Sequence, residues 1–394
     1  MENNKARLYF IDAMRAWAIL MMLQGHFVDG LLDNGFREDH NMVFSVWKYF
    51  RGITAPVFFT VSGFIFTFLL VRGENAGLEN PRVKKGIKRG LELLFIGYLL
   101  RLNLFGLLGG EIYDSFYLVD VLHCIGLSIL GIIGLYMLTQ KSKKFVLPLT
   151  LVGITMVLFI IEPLYNQASL SYLPQAIANY ITKANGSVFT IFPWFGYASF
   201  GAFLSIVFTK FKSARYLYPV AITLSAIIGF TLIFYSSDWF LALSKNTGIE
   251  LFGKVYSNNY LFIRLGNVLV VFAIFMAIRN LLKNATLLKI GQSTLSIYII
   301  HFIILYGSLT GLGLYRFLNH SLHPMIVIPG AIAFMVLCSY SALKYESHKA
   351  YLMANLNSAL RLTLAKSELV VVSLIDNARG LLYRLLRSFG LVKG

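Results

Sequence analysis

Acidic residues are scarce in this chain. There are 18 Asp and Glu among 394 residues, and with 35 Lys and Arg only 13% of the chain is charged, about half the share of an average soluble domain. That excludes an ordinary soluble protein. Cysteine is scarcer still: Cys124 and Cys338 fall in separate apolar stretches, so neither a disulfide framework nor a cysteine metal site is expected. The sequence has no HExxH, CxxC, Walker loop or GxSxG elbow and no tight cluster of carboxylates, which sets aside zinc hydrolases, P-loop enzymes and α/β-hydrolases. No metal and no bound cofactor is expected. No internal repeat is visible, which counts against transporters built from inverted repeats.

What the chain does have is apolar sequence, 57% of its residues. Runs of about 20 residues recur at about 9–32, 50–71, 90–108, 117–139, 145–161, 189–209, 216–235, 261–281, 290–310 and 324–343, each able to cross a hydrocarbon core of about 30 Å as a helix. The expected fold is an all-α polytopic transmembrane bundle of about ten helices over residues 1–343, followed by a basic tail over 344–394. Of the 35 Lys and Arg, 25 fall in one alternate set of loops and the tail, seven in the other set, and Arg15, Arg101 and Arg264 in or at the edge of apolar runs. Lys and Arg are retained on the cytoplasmic side, so both termini are expected in the cytoplasm, in a plasma membrane of the bacterial inner-membrane type. The net charge of +17, which in a soluble protein would suggest nucleic acid, therefore reads as a topology signal, and no nucleic-acid partner is expected. The first run begins too far in, and is too polar, for a cleaved signal peptide. Leucines at helical spacing in Leu356–Leu364 and Leu381–Leu386, with basic residues between them, predict amphipathic helices on the inner leaflet with membrane lipids as partners.

A charge within the bilayer costs several kcal/mol unless it is paired or faces a polar cavity, so each one marks a candidate site. Asp12 and Arg15, three apart, can meet on one helix face. His26 lies eleven residues beyond Arg15, about 16 Å further along the axis and only about 20° away around it. Asp29, three after His26, can orient the imidazole and stabilise its protonated form. Arg51 opens the second helix and Arg101 lies past the middle of the third. Asp120 and His123 share a face of the fourth, Arg264 and Asn267 one of the eighth, and Thr294, Tyr298 and His301 form a polar stripe on the ninth. Singly, each could be a buried interhelical hydrogen bond; together they predict a polar cavity. A neutral imidazole can take a proton from a hydroxyl or amine, and arginines can hold phosphates or a developing oxyanion. That set suits group transfer from a charged donor.

The stretch Phe10-Ile-Asp-Ala-Met-Arg15, followed by ten residues and His26, resembles the arginine-ten-histidine signature of membrane-embedded acyltransferases, acyltransferase family 3 and its relatives. Pro56-Val-Phe-Phe-Thr-Val-Ser-Gly-Phe64 is similar to their second-helix signature. Phe192-Pro-Trp-Phe-Gly-Tyr197 and Ile290-Gly-Gln-Ser-Thr-Leu-Ser-Ile-Tyr-Ile-Ile-His301 resemble the bacterial relatives of heparan-α-glucosaminide N-acetyltransferase. The resemblance implies an acyl-CoA co-substrate, acetyl-CoA in the first instance, reached from the cytoplasm. It also implies a carbohydrate or glycoconjugate acceptor, acylated on a hydroxyl or amine at the outer face, and a homodimer. Carried across, His26 is the catalytic base or transient acyl carrier, Arg15 guides the CoA arm with Asp12 beside it, and Arg51 and Arg101 hold phosphates or the thioester. Asp120, His123, Arg264, Tyr298 and His301 line the substrate cavity. In the heparan branch the proposed catalytic histidine lies in the outer loop after the corresponding helix, which makes His40 in Arg37-Glu-Asp-His-Asn41 the rival of His26. Two other classes compete with the transferase. One is a transporter of an anionic or lipid-linked substrate, favoured by broken helices in both halves, with Pro56 and Pro193 as break points; the other is a catalytically idle partner subunit.

Overall fold

The computed structural model describes residues 8–38, 40–73 and 77–388, and beyond Asn355 it gives little more than the helix backbone. Lys5 and Arg7 of the expected charge bias lie outside the described residues, as do the side chains on which the amphipathic faces of the tail depend. The chain divides into two compact units, Met1–Tyr340 and Ser341–Gly394. In the second, the backbone is helical to Ser388.

The architecture is helical, with no strand beyond two isolated bridges among the described residues. The principal helices are α1 (Tyr9–Leu31), α2 (Met42–Leu70), α3 (Pro81–Arg101), α4 (Val121–Thr139), α5 (Val146–Ile160), α6 (Ile191–Lys210), α7 (Leu217–Thr247), α8 (Tyr260–Ala277), α9 (Ala285–Gln292), α10 (Thr294–Tyr306) and α11 (Pro324–Ser388). Their ends follow local chemistry. The Asn41 side chain accepts from the Phe44 amide to start α2, and Asn80 accepts from Arg82 ahead of Pro81 to start α3, since an Asn oxygen satisfies an otherwise orphaned first-turn N–H. Gly248 and Gly307, at φ 70° and 71°, end α7 and α10 in the left-handed region.

Each expected apolar run falls on a helix, but six helices among the described residues are long and apolar enough to cross a membrane, or seven if α9 and α10 form one span. The shortfall has physical causes. Asp12, Arg15, Gln24 and His26 lower the hydropathy of α1; α3 opens on a row of Lys and Arg; and α5 has only 15 residues. The α9–α10 pair is bent by 71° at Ser293. By contrast α2 runs on through Pro56, so the break expected there is absent, and at Pro193 the irregularity is confined to Phe192 in the first turn of α6. The apolar face of α7, with Leu224, Ile227, Ile228 and Phe234 exposed, is a surface that water would penalise and a lipid bilayer would not. The chain is a multi-pass membrane protein.

Between helices, small residues set the closest approaches. A Cβ placed on Gly63 of α2 would lie 1.9 Å from the Ala198 carbonyl oxygen of α6, and one on Gly201 would lie 1.8 Å from that of Thr60. Backbones this close are open only to glycine, the usual device where lipid tails supply no hydrophobic drive between helices. Gly291 does the same for α9 against α1, where a Cβ would sit 2.0 Å from the Asp12 carbonyl oxygen. Phe10, Met14, Val57, Phe64, Phe208 and Phe272 fill the core joining α1, α2, α6 and α8. This packing fixes α1 between α2 and the bent pair, and the polar residues of α1 are thereby held against α10.

Candidate active site

The face of α1 that carries Arg15 and His26 packs on α10, as their spacing predicts. Arg15 Nη2 donates to Thr294 Oγ1 at 2.9 Å, just past the bend, and His26 Nδ1 lies 2.9 Å from the Tyr306 hydroxyl at the other end of that helix. The His26 and His301 rings are 5.4 Å apart. His301 is fully buried, and among the described residues its ring nitrogens have no side-chain partner, only the Ile297 and Tyr298 carbonyls of their own helix nearby. A ligand in contact with the ring would offer these nitrogens a better partner than carbonyls already engaged in the helix.

His26, His301 and Tyr306 line a cavity of about 540 Å³. Its charged groups come in pairs. Arg101 Nε donates to Asp120 Oδ2 at 2.6 Å, and Arg51 Nη2 donates to Asp29 Oδ2 at 2.7 Å. Asp29 also accepts from Arg37 Nη2 at 3.0 Å on its other carboxylate oxygen, while Arg37 Nη1 donates to the Asp29 carbonyl. Asp29 therefore braces two arginines instead of orienting His26. The spacing put it within reach of the imidazole, but a carboxylate gains more from two charge-assisted bonds than from one to a neutral ring. The same pairing leaves Arg51 and Arg101 partly neutralised, which weakens them as phosphate ligands. Over the cavity runs the segment after α10. Leu104 donates to Leu309 O and Leu309 to Leu102 O, while Leu322 donates to Leu31 O, so the segment is tied to the ends of α3 and α1.

Of the twelve residues given a site role from sequence, seven meet in this cavity: His26, Asp29, Arg51, Arg101, Asp120, Tyr298 and His301. The other five stand elsewhere. Asp12 is buried near the start of α1 and Arg15 is occupied with Thr294. His40 is exposed on the connection between α1 and α2, paired with Glu38 at 3.0 Å. His123 is buried behind the cavity wall, its ring 4.4 Å from that of Tyr98, with Nδ1 accepting the Asp120 amide; it caps α4 with Asp120 and does not line the cavity. Arg264 donates to Tyr49 O at 2.8 Å and lies over the Tyr49 ring, joining α8 to α2. Both were expected in the cavity because depth along a helix was legible and the direction of the side chain was not. Tyr306 and Tyr315 line the cavity without having been foreseen. At about 100° per residue Tyr306 sits about 140° from His301, off the polar stripe, so periodicity carried no signal for it.

A second, apolar chamber of about 330 Å³ adjoins the first. Met21, Met22, Ala55, Phe58, Phe59 and Trp194 form most of its walls, Lys48 and Thr54 add polar groups, and His26, Arg51, Val121, Val188 and Phe189 belong to both spaces. A histidine on the border of a polar and an apolar cavity, with one nitrogen held by a tyrosine, is laid out to act on a molecule that has both kinds of part.

The chain matches the family model described as heparan-alpha-glucosaminide N-acetyltransferase, catalytic, over residues 7–240. It belongs to that family. The matched residues include α1 and α2 with His26 and Arg51, α3 and α4 with Arg101 and Asp120, and α6 with the wall of the apolar chamber; α10 lies beyond them. The family makes this a membrane acyltransferase. No curated protein matches the chain.

Proposed function

We propose that the protein moves an acyl group from cytoplasmic acyl-CoA to a hydroxyl or amine of a carbohydrate-type acceptor at the outer face, with His26 as the base. The observation that carries this reading is the position of His26, on the shared wall of the two cavities with Nδ1 bonded to Tyr306, in a chain of this family. For His26 to act as base its Nε2 must be bare, which requires the tautomer in which Nδ1–H donates to the Tyr306 oxygen. The acceptor O–H or N–H gives its proton to Nε2 as the acceptor atom bonds to the thioester carbonyl carbon. The C–S bond then breaks, and the leaving sulfur takes the proton from the imidazolium to become free CoA thiol. His301, buried with no side-chain partner for its ring nitrogens, holds the acceptor or the carbonyl oxygen. Because the cavity charges are paired, an uncharged polyhydroxy acceptor fits it better than an anion.

In this reading α1, α3 and α5 complete ten crossings with the seven more apolar spans, both termini are cytoplasmic, and residues 344–394 form a basic tail on the inner leaflet of a bacterial-type inner membrane. Arg15, near the cytoplasmic end of α1, borders the approach of the CoA arm. Thiol release from acetyl-CoA by the protein in nanodiscs, with a cell-envelope glycan extract as acceptor, tests the reading. His26→Ala lowers release by roughly 10²–10⁴ and His40→Ala keeps it; the reverse pattern moves the chemistry to the loop, and no release from acetyl-CoA or any longer acyl-CoA by folded wild-type protein removes the transferase.

A further inference from the structure

The apolar chamber is larger than an acetyl group needs. A dry cavity of roughly 150 Å³ accepts a benzene ring, so about 330 Å³ holds roughly twice that carbon content, whereas acetyl brings one methyl. Its walls are prearranged. Phe59, Phe189 and Trp194 lie against one another at 4.9 to 6.0 Å between ring centres, and the Trp194 indole N–H is already satisfied by the Val188 carbonyl, so the rings present carbon to the space. Met21 and Met22 also line it, side chains that adapt to irregular hydrocarbon. The occupant follows from what borders the chamber. Because His26 and Arg51 also line the polar cavity, whatever fills the chamber is joined to the group that reacts at His26.

We propose that this chamber binds the hydrocarbon part of the donor thioester, so that the physiological donor is a medium-chain acyl-CoA of about six to twelve carbons, with Ala55 and Phe58 among the residues that set chain length. The proposal rests on the acyltransferase reading above and sharpens its donor. Each methylene buried in such a space strengthens binding about fourfold.

The test compares thiol release from acetyl-, butanoyl-, hexanoyl-, octanoyl- and decanoyl-CoA by the full chain in nanodiscs, with glycan extracts freed of lipid or retaining it. In wild type, kcat/KM rises about fourfold per added methylene up to at least six carbons. Ala55→Phe fills the chamber and lowers the octanoyl-to-acetyl ratio of kcat/KM at least about fiftyfold. Phe58→Ala, which enlarges it, moves the optimum two or three carbons longer and serves where the first variant does not fold. Turnover of acetyl-CoA with longer donors rejected overturns the proposal and leaves the acyltransferase standing. So does a chain-length preference that neither variant moves. Acetyl transfer that requires lipid-linked acceptor and is lost in Ala55→Phe gives the chamber to the acceptor's tail and also overturns it. Release from no donor by folded protein removes the transferase reading and this proposal together.

Discussion

Replacing Tyr306 by phenylalanine removes one oxygen and leaves the ring that packs 4.9 Å from Phe302 and 5.9 Å from Tyr315. What is lost is the 2.9 Å bond to His26 Nδ1. A neutral hydrogen bond is worth about 0.5–1.5 kcal/mol, so if it holds the imidazole in the tautomer with Nε2 bare, its loss lowers kcat about two- to thirteenfold. His26→Ala removes the base itself and lowers kcat by roughly 10²–10⁴. Tyr306 acts only through His26, so the double variant is no slower than His26→Ala to within about twofold, a deviation from additivity that a merely structural tyrosine would not give. Thiol release from acyl-CoA measures all four members of the cycle, and thermal unfolding in the same nanodiscs checks that each is folded. A Tyr306→Phe defect that multiplies the His26→Ala defect refutes the reasoning. A defect confined to KM does so as well.

Three further outcomes follow from the packing. Asp120→Asn weakens the 2.6 Å contact with Arg101 and lowers stability by about 1.5–3 kcal/mol at most, less whatever solvent screens; Arg101→Gln made on top of it recovers part of the loss in thermal unfolding, and equal losses with and without Arg101 count against the pair. Gly63→Val pushes a side chain into the Ala198 carbonyl, costs about 3 kcal/mol or more through overpacking, and eliminates the monodisperse peak in detergent chromatography; a normal peak with unchanged thermal midpoint contradicts the close approach of α2 and α6. Glu162, on the connection after α5, has its carboxyl raised above the ordinary 4.5 by burial, against hydrogen bonding from Tyr260 and the nearby Lys183. The neutral form is favoured in the fold, so its contribution is whole below the ordinary carboxylate value and is lost as pH rises through the raised one. Glu162→Gln therefore gains stability relative to wild type as pH is raised from 4.5, and a difference that stays constant with pH refutes this.

How much could be read before the fold was known differs by residue type. Apolar runs located the helices, because length and composition decide what can span a bilayer, and the eleven-residue interval put Arg15 and His26 on one face, which the fold lays against α10. Periodicity fixes a face relative to its own helix and nothing more. It could not say that Asp29 would turn to Arg37 and Arg51, that His123 and Arg264 would serve as caps and braces outside the cavity, or that Tyr306, off the polar stripe, would hold His26. Nor did the apolar character of Phe59 and Trp194, ordinary for lipid-facing residues, mark them as walls of a chamber. The sequence by itself determined a helical membrane protein of an acyltransferase family with polar groups at depth, since hydropathy and family motifs are local properties of the chain. Which of those polar groups share one cavity was decided by the tertiary structure, through close packing of α2 on α6 and of α9 on α1 at glycines that leave no room for a Cβ.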